Sequence, residues 1–404
     1  MTDLFFLPDW PSRMNAMSWL ALLLVAGLLG GEIVARALRL PRITGYAAVG
    51  FALGPAGLGW VDKAALADMR VFIDVSVGFI LFELGQRLDL RWLRRNPALL
   101  ASSVFEAALG FAAVFGVLTL LDVPPLLAAC AAAIAMATSP AVVMTVVRDQ
   151  RAQGQVTERL LHLSALNSVY AFLAMTMLFA WLNLEYRGGW GVILLHPLYL
   201  IVGSLVLATA ASAVTLLLLR RVGRGPDAQF ICVVALVLAT VAAASTLKLS
   251  VLMTLLAFGA LTRVLDHDRR FATLTFGRTG MALTVVLFTL SGAYLSIDPL
   301  PGAAWAAAAL IAARFAGKAV VLFALARPSG LQVRKASLLS VGLVPMSGIA
   351  VVLVQDTAAV FPQFGPSLSA VLLSAIVMLE VLGPLAVQFA LRRAGEVGEE
   401  RHHV

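Results

Sequence analysis

Along nearly the whole chain, runs of about twenty apolar residues alternate with short polar connections. Thirteen such runs lie near 17–38, 43–62, 69–87, 98–121, 124–147, 159–182, 192–219, 228–247, 250–265, 272–296, 303–326, 336–361 and 366–391. About twenty mostly apolar residues are what a helix needs to cross a bilayer. No run has the every-second-residue alternation of a barrel strand, so each backbone is expected to satisfy itself as helix.

The basic residues test that count. Twenty-three of the thirty Lys and Arg fall in the segments after the odd-numbered runs, such as Arg36, Arg39 and Arg42, or Arg91, Arg94 and Arg95. The amino-terminal segment and the even-numbered connections hold five: Arg13, Lys63, Arg70, Arg187 and Lys248. One miscounted helix would scramble this alternation. The positive-inside bias therefore places the amino terminus outside and the carboxyl tail in the cytoplasm, in the inner (plasma) membrane of the cell.

Composition agrees. Of the 404 residues 61% are hydrophobic and only 13% charged, and the mean hydropathy is +0.93; a soluble chain carries roughly a quarter charged residues. The net charge of +8 follows from clusters between apolar runs, which orient a membrane protein and argue against nucleic-acid binding. The first run is too long for a signal-peptide core and lacks a cleavage site, so it is expected to be retained. Residues 1–16 then form an external segment, 17–393 a single transmembrane domain, and 394–404 a short, charged, disordered cytoplasmic tail. Cys130 and Cys232 lie within apolar runs and suggest no disulfide or metal site. No His-Glu-x-x-His, Cys/His cluster or Ser-His-Asp set occurs, so neither an enzyme nor a cofactor is expected.

Two runs carry helix breakers at mid-depth: Ala137-Thr138-Ser139-Pro140-Ala141 in the fifth and Val344-Pro345-Met346-Ser347-Gly348-Ile349 in the twelfth. Proline removes a donor and clashes with the preceding turn, and glycine loosens the backbone. Within hydrocarbon such irregularity persists only where it is buried in protein or lines a cavity. Each break is the fifth helix of a six-helix set, helices 1–6 and 8–13. The sets enter the membrane from opposite sides, the arrangement of inverted repeats whose broken helices cross at a midplane site.

An ionisable group at the bilayer centre costs at least a few kcal/mol and is a functional candidate by default. Arg314 sits at the middle of the eleventh run, where a cation can neutralise the carbonyl ends of both broken helices. Lys318, one turn toward the cytoplasm, is a second candidate for that charge compensation, although it can also snorkel inward. Glu380 and Glu106 lie mid-span in the thirteenth and fourth runs. Glu83 can pair with Arg87 at i,i+4. Asn167 and Ser168 fall near mid-depth in the sixth run, and His162 lies nearer its cytoplasmic end.

Taken in order, these motifs resemble the Kef-type monovalent cation:proton antiporters, within the sodium/hydrogen exchanger-like superfamily. Ala137-Thr138-Ser139-Pro140-Ala141 is similar to their first broken helix, Leu81-Phe82-Glu83-Leu84-Gly85 to their third helix, Arg314-Phe315-Ala316-Gly317-Lys318 to their basic helix, and Glu380-Val381-Leu382-Gly383-Pro384 to their last. The resemblance spans about Met17 to Arg393. It implies crossed broken helices in a core domain, a separate dimerisation domain, and alternating access. It also implies that Thr138, Ser139, Asn167, Ser168 and Ser347 bind the ion. Gly27-Leu28-Leu29-Gly30-Gly31 lets helices approach closely, within the chain or, as the resemblance implies, across a homodimer.

One departure matters. Members of that family carry Asp-Asp or Asn-Asp where this chain has Asn167-Ser168, and Ile349 stands near the place of a usual glutamate. Competitive exchange needs a group that is anionic to hold a cation and neutral once protonated, and serine does not titrate. The proton is then expected on Glu380 or Glu106. The alternative is a transporter fold without proton coupling: a facilitator, a carrier of another solute, or a non-transporting subunit.

Overall fold

A computed structural model describes residues 15–187, 190–222, 226–266, 277–295, 300–346, 350, 354 and 365–398. Among these residues the chain is helical, with no strand. The helices are α1 (Ala16–Ile33, extended by a π-helical turn to Leu38), α2 (Arg42–Leu53), α3 (Lys63–Arg87), α4 (Leu90–Arg95) and α5 (Pro97–Leu120). There follow α6 (Pro125–Met136), α7 (Pro140–Asp149), α8 (Gln155–Arg187), α9 (Trp190–Val222) and α10 (Pro226–Thr246). The last five are α11 (Val251–Leu265), α12 (Gly277–Tyr294), α13 (Leu300–Ala324), α14 (Val333–Gly342) and α15 (Gly365–Ala394). Each of the thirteen predicted runs is occupied, in whole or part, by at least one of them. Among the described residues eight spans are long and apolar enough to cross a membrane by length and composition, and α11 and part of α12 are shorter apolar helices.

The fifth run is two helices. α6 stops at Met136 because Pro140 denies the backbone its next donor. α7 restarts there, with proline in its first turn and the Ser139 hydroxyl accepting from Val142 N at 3.2 Å, a favourable helix start. The twelfth run breaks in the same manner: α14 ends at Gly342, and Val344–Met346 is non-helical. Ser347, Gly348 and Ile349 lie outside the described residues.

Two helix bundles result. α5, α6, α7, α8, α13, α14 and α15 pack around the breaks, and α1, α2, α3, α9, α10, α11 and α12 flank them. Of the most apolar eighteen-residue stretch within Pro125–Asp149, 83% is buried, against 17% within Ala16–Leu38, so the first broken helix is central and α1 lies toward the outside.

The inverted repeat is visible in the contacts. α3 packs along α11, and its counterpart under exchange of the halves, α12 along α2, packs just as extensively. Both pairs approach through reciprocal glycines. A Cβ on Gly85 would strike Leu256 O and one on Gly259 would strike Phe82 O; likewise Gly292 faces Ala47 O and Gly50 faces Thr289 O. In all four cases the struck carbonyl lies three residues before the opposing glycine, so one packing solution is used twice.

One open alternative is resolved and one expectation corrected. Small residues of α1 serve packing inside the chain: Gly27 fits against Thr289 of α12, Gly30 against Val49 and Gly31 against Tyr46 of α2. The segment after α15, expected as a disordered tail, is docked in its first residues. Glu396 is buried, accepts from Val156 N at 3.0 Å and Thr157 N at 2.8 Å at the start of α8, and pairs with Lys335 at 3.3 Å.

At the end rich in basic residues, α7 ties the bundles together. Arg148 pairs with Glu83 of α3, and Asp149 pairs with Arg42 at the start of α2. Glu83 also meets Arg87 at 3.4 Å, as the i,i+4 spacing predicts.

Candidate functional site at the crossing of the broken helices

Where α6 stops, the carbonyls of its last turn have no intrahelical partner, and the same holds past α14. Arg314 supplies both sets. From mid-α13 its Nε donates to Ala135 O at 2.7 Å, Nη2 to Ala137 O at 2.8 Å, and Nη1 to Val344 O at 2.8 Å. Nη2 also reaches Pro345 O and Thr138 Oγ1, each at 3.3 Å. The planar five-donor guanidinium matches a cluster of acceptors fanned around one point. The breaks also touch directly, through Ser139 N donating to Pro345 O at 3.1 Å.

Lys318 does not snorkel. It lies one turn from Arg314 on the same face of α13, is 1% exposed, and turns into the crossing. Its Nζ donates to Met136 O at 3.1 Å and Thr138 Oγ1 at 3.3 Å, and forms an ion pair with Glu106 Oε2 at 3.0 Å. Glu106 is fully buried on a stripe of α5 formed by Ser103, Glu106, Ala107 and Gly110, all buried. The Lys318 stem passes beside Gly110.

From α8, Asn167 Nδ2 donates to Glu106 Oε1 at 2.6 Å and to Thr138 Oγ1 at 3.2 Å. The same residue's Oδ1 is buried without a hydrogen-bond partner, which is rare for a buried acceptor. Ser168 Oγ donates to Thr138 O and to Ser164 O, both at 3.0 Å. Close by, the Ser103 hydroxyl bonds the Tyr170 hydroxyl at 2.7 Å.

The sequence-derived candidates thus divide. Thr138, Asn167, Ser168, Glu106, Lys318 and Arg314 share one buried network. Thr138 is its hub, with Asn167, Arg314 and Lys318 all directed at its hydroxyl. Ser139 joins through its backbone, while its hydroxyl caps α7. Glu380 lies elsewhere, on α15, and lines a cavity between the two bundles. Ser347 lies outside the described residues. His162 is buried in packing, accepting from Asp89 N at 3.0 Å and standing edge-on to Trp92.

Chemically, the network holds one carboxylate, two cations, an orphan amide oxygen and several hydroxyl and carbonyl oxygens. Of the two cations, an ammonium releases its proton more readily than a guanidinium. Among the described residues no group of three or more His, Cys, Asp or Glu side chains is placed to hold a metal ion.

The model of a family described as sodium/hydrogen exchanger, transmembrane, matches residues 20–393. Two solved structures of the sodium proton antiporter MjNhaP1 from Methanocaldococcus jannaschii are similar in fold. One, determined at pH 8, is 16% identical with a TM-score of 0.68, and the other, an electron-microscopy map, is 17% identical with a TM-score of 0.69. Each alignment covers 95% of this chain and 99% of the other. No curated protein matches the chain in sequence.

Proposed function

The chain belongs to the sodium/hydrogen exchanger family of transmembrane proteins, and on that premise we propose that it exchanges a monovalent cation, Na⁺ or K⁺, for a proton, with Glu106 as the shared anion and Lys318 as the proton carrier. The observation that carries this reading is the buried Glu106–Lys318 pair, 3.0 Å apart and in contact with Asn167.

Charge arithmetic gives the mechanism. A protonated Lys318 occupies the carboxylate. When the ammonium gives up its proton, Glu106 loses its direct ion-pair partner and keeps only the more distant Arg314 charge, a less favourable state for a buried carboxylate. A dehydrated monovalent cation relieves it, with the orphan Asn167 Oδ1 as an additional oxygen ligand of the kind such sites use. Proton and cation therefore compete, though at different atoms. The missing family carboxylate at Ser168 is replaced by one that reaches the crossing from α5. Both loaded forms carry the same charge, so the cycle trades one proton for one cation and moves no net charge.

Arg314 plays a different part, holding the two breaks together in either state. Alternating access is supported by the division into two bundles, which the Arg148–Glu83 and Arg42–Asp149 pairs clamp at the basic end. That end faces the cytoplasm under the positive-inside bias. The homodimer rests on family membership, since the glycines of α1 pack within the chain.

The test is flux in proteoliposomes. An imposed Na⁺ or K⁺ gradient should drive protons the other way in the wild type and not in Glu106→Gln. Cation movement with no proton movement would instead identify a facilitator.

A further inference from the structure

The two residues of the break between α6 and α7 belong to the surroundings of two different carboxylates. Thr138 shares Asn167 and Lys318 with Glu106. Ser139 lines a second space, a cavity between the two bundles, together with Glu380 of α15, Ile80 of α3, and Leu287, Phe288 and Ser291 of α12. Glu380 is 7% exposed and has no hydrogen-bond or ion-pair partner among the described residues. It is also the one titratable side chain among the described residues lining the cavity; α3, α7 and α12 present to it only apolar side chains and the two serines. One turn further along α15, Gly383 packs directly on Pro345 of the second break, so the cavity adjoins the crossing without sharing its carboxylate.

An ionised carboxylate in such a place has no compensating charge, and the low-dielectric surroundings make that state expensive. Two chemistries remove the cost: a proton on the carboxyl, or a cation beside it. The oxygen donors available are the Glu380 carboxylate and the Ser139 and Ser291 hydroxyls, with a total charge of minus one. A divalent ion would leave an uncompensated positive charge in the cavity, whereas a monovalent ion neutralises the site. The Ser139 hydroxyl uses one lone pair to cap α7 and keeps another for a ligand.

We propose that Glu380, Ser139 and Ser291 form a second site, taking either a proton or one monovalent cation, in the cavity between the bundles. This goes beyond the exchange proposed at Glu106 and does not depend on it. The site lies where the bundles meet, so any displacement of one against the other changes the distance from Glu380 and Ser139 to Ser291. Its affinity is thereby coupled to the conformational state, and an ion held here lies beside Ser139, not at Glu106.

Infrared difference spectroscopy of the purified protein reads this directly, because a protonated carboxyl has a carbonyl stretch that the carboxylate lacks. Adding NaCl or KCl should remove a protonated-carboxyl band in the wild type and in Glu106→Gln, and that band should be absent from Glu380→Gln. In Ser291→Ala, which keeps the carboxyl, removal should require several-fold more salt. A band that persists in Glu380→Gln, or one that neither cation alters, would overturn the proposal; a normal band response in Glu106→Gln leaves the crossing-site reading to be judged by flux alone.

Discussion

The Glu106 carboxylate and the Lys318 ammonium meet 3.0 Å apart, from α5 and α13, with side chains 0% and 2% exposed. Removing one partner of such a pair strands the other. Glu106→Gln should lower the melting temperature, with a cost of about 3–5 kcal/mol while Lys318 stays charged. A stranded lysine escapes this cost by releasing its proton. The deficit relative to wild type should therefore shrink as pH rises, a trend that thermal unfolding across pH would reveal. A deficit independent of pH would mean that the lysine is not stranded.

Arg314 should rank by donor count. Four carbonyls and the Thr138 hydroxyl accept from it. Lysine offers three donors at a single point and alanine none, and each buried acceptor left without a donor costs about 1–3 kcal/mol. Melting temperatures should fall from wild type to Arg314→Lys to Arg314→Ala. Equal values for the two variants would show that the charge and its donors do not hold the breaks.

Ser168→Asp restores the residue type that the family carries. The wild-type hydroxyl donates to Thr138 O and Ser164 O; an ionised carboxylate would face both carbonyls with nothing to donate. A proton or a cation between them relieves the repulsion. Added Na⁺, K⁺ or Li⁺ should consequently raise the melting temperature of Ser168→Asp more than that of wild type, and the increment should fade as pH falls and protons take the site. Identical cation responses would mean that this part of α8 does not face the ion.

Much of this architecture is legible in the sequence, for reasons of depth. Apolar run lengths, alternating basic clusters, and the breaks at Pro140 and Pro345 all report position along the membrane normal. Arg314 at mid-depth is enough to assign it to the carbonyl ends. What depth does not reveal is the direction a side chain faces. By depth alone Lys318 is free to snorkel, yet its i,i+4 spacing from Arg314 puts both on one face of α13, so a crossing that captures the first captures the second. Ser103, Ala107 and Gly110, at helical spacing around Glu106, mark the face of α5 that meets this helix. The small residues of α1 signal a close approach without naming the partner, which is α2 and α12.

Glu396 is hidden for a related reason: a short charged segment after the last helix has the composition of a solvated tail. Its carboxylate instead satisfies donors at the start of α8, where a helix favours a negative charge. Glu396→Ala should leave Val156 N, Thr157 N and Lys335 without their acceptor and destabilise the protein by about 1–3 kcal/mol. Hydrogen exchange at the first turn of α8 should rise along with it. Unchanged exchange there would show that the docked tail is not holding that turn.

The central claim is that the proton leaving on cation binding at the crossing comes from Lys318. It is tested most directly by adding NaCl or KCl to purified protein in weakly buffered detergent solution and counting the protons released. Lys318→Gln should release one proton per chain fewer than the wild type on saturation with cation, with Glu380 still present in both. Equal proton release from Lys318→Gln and wild type would contradict the account.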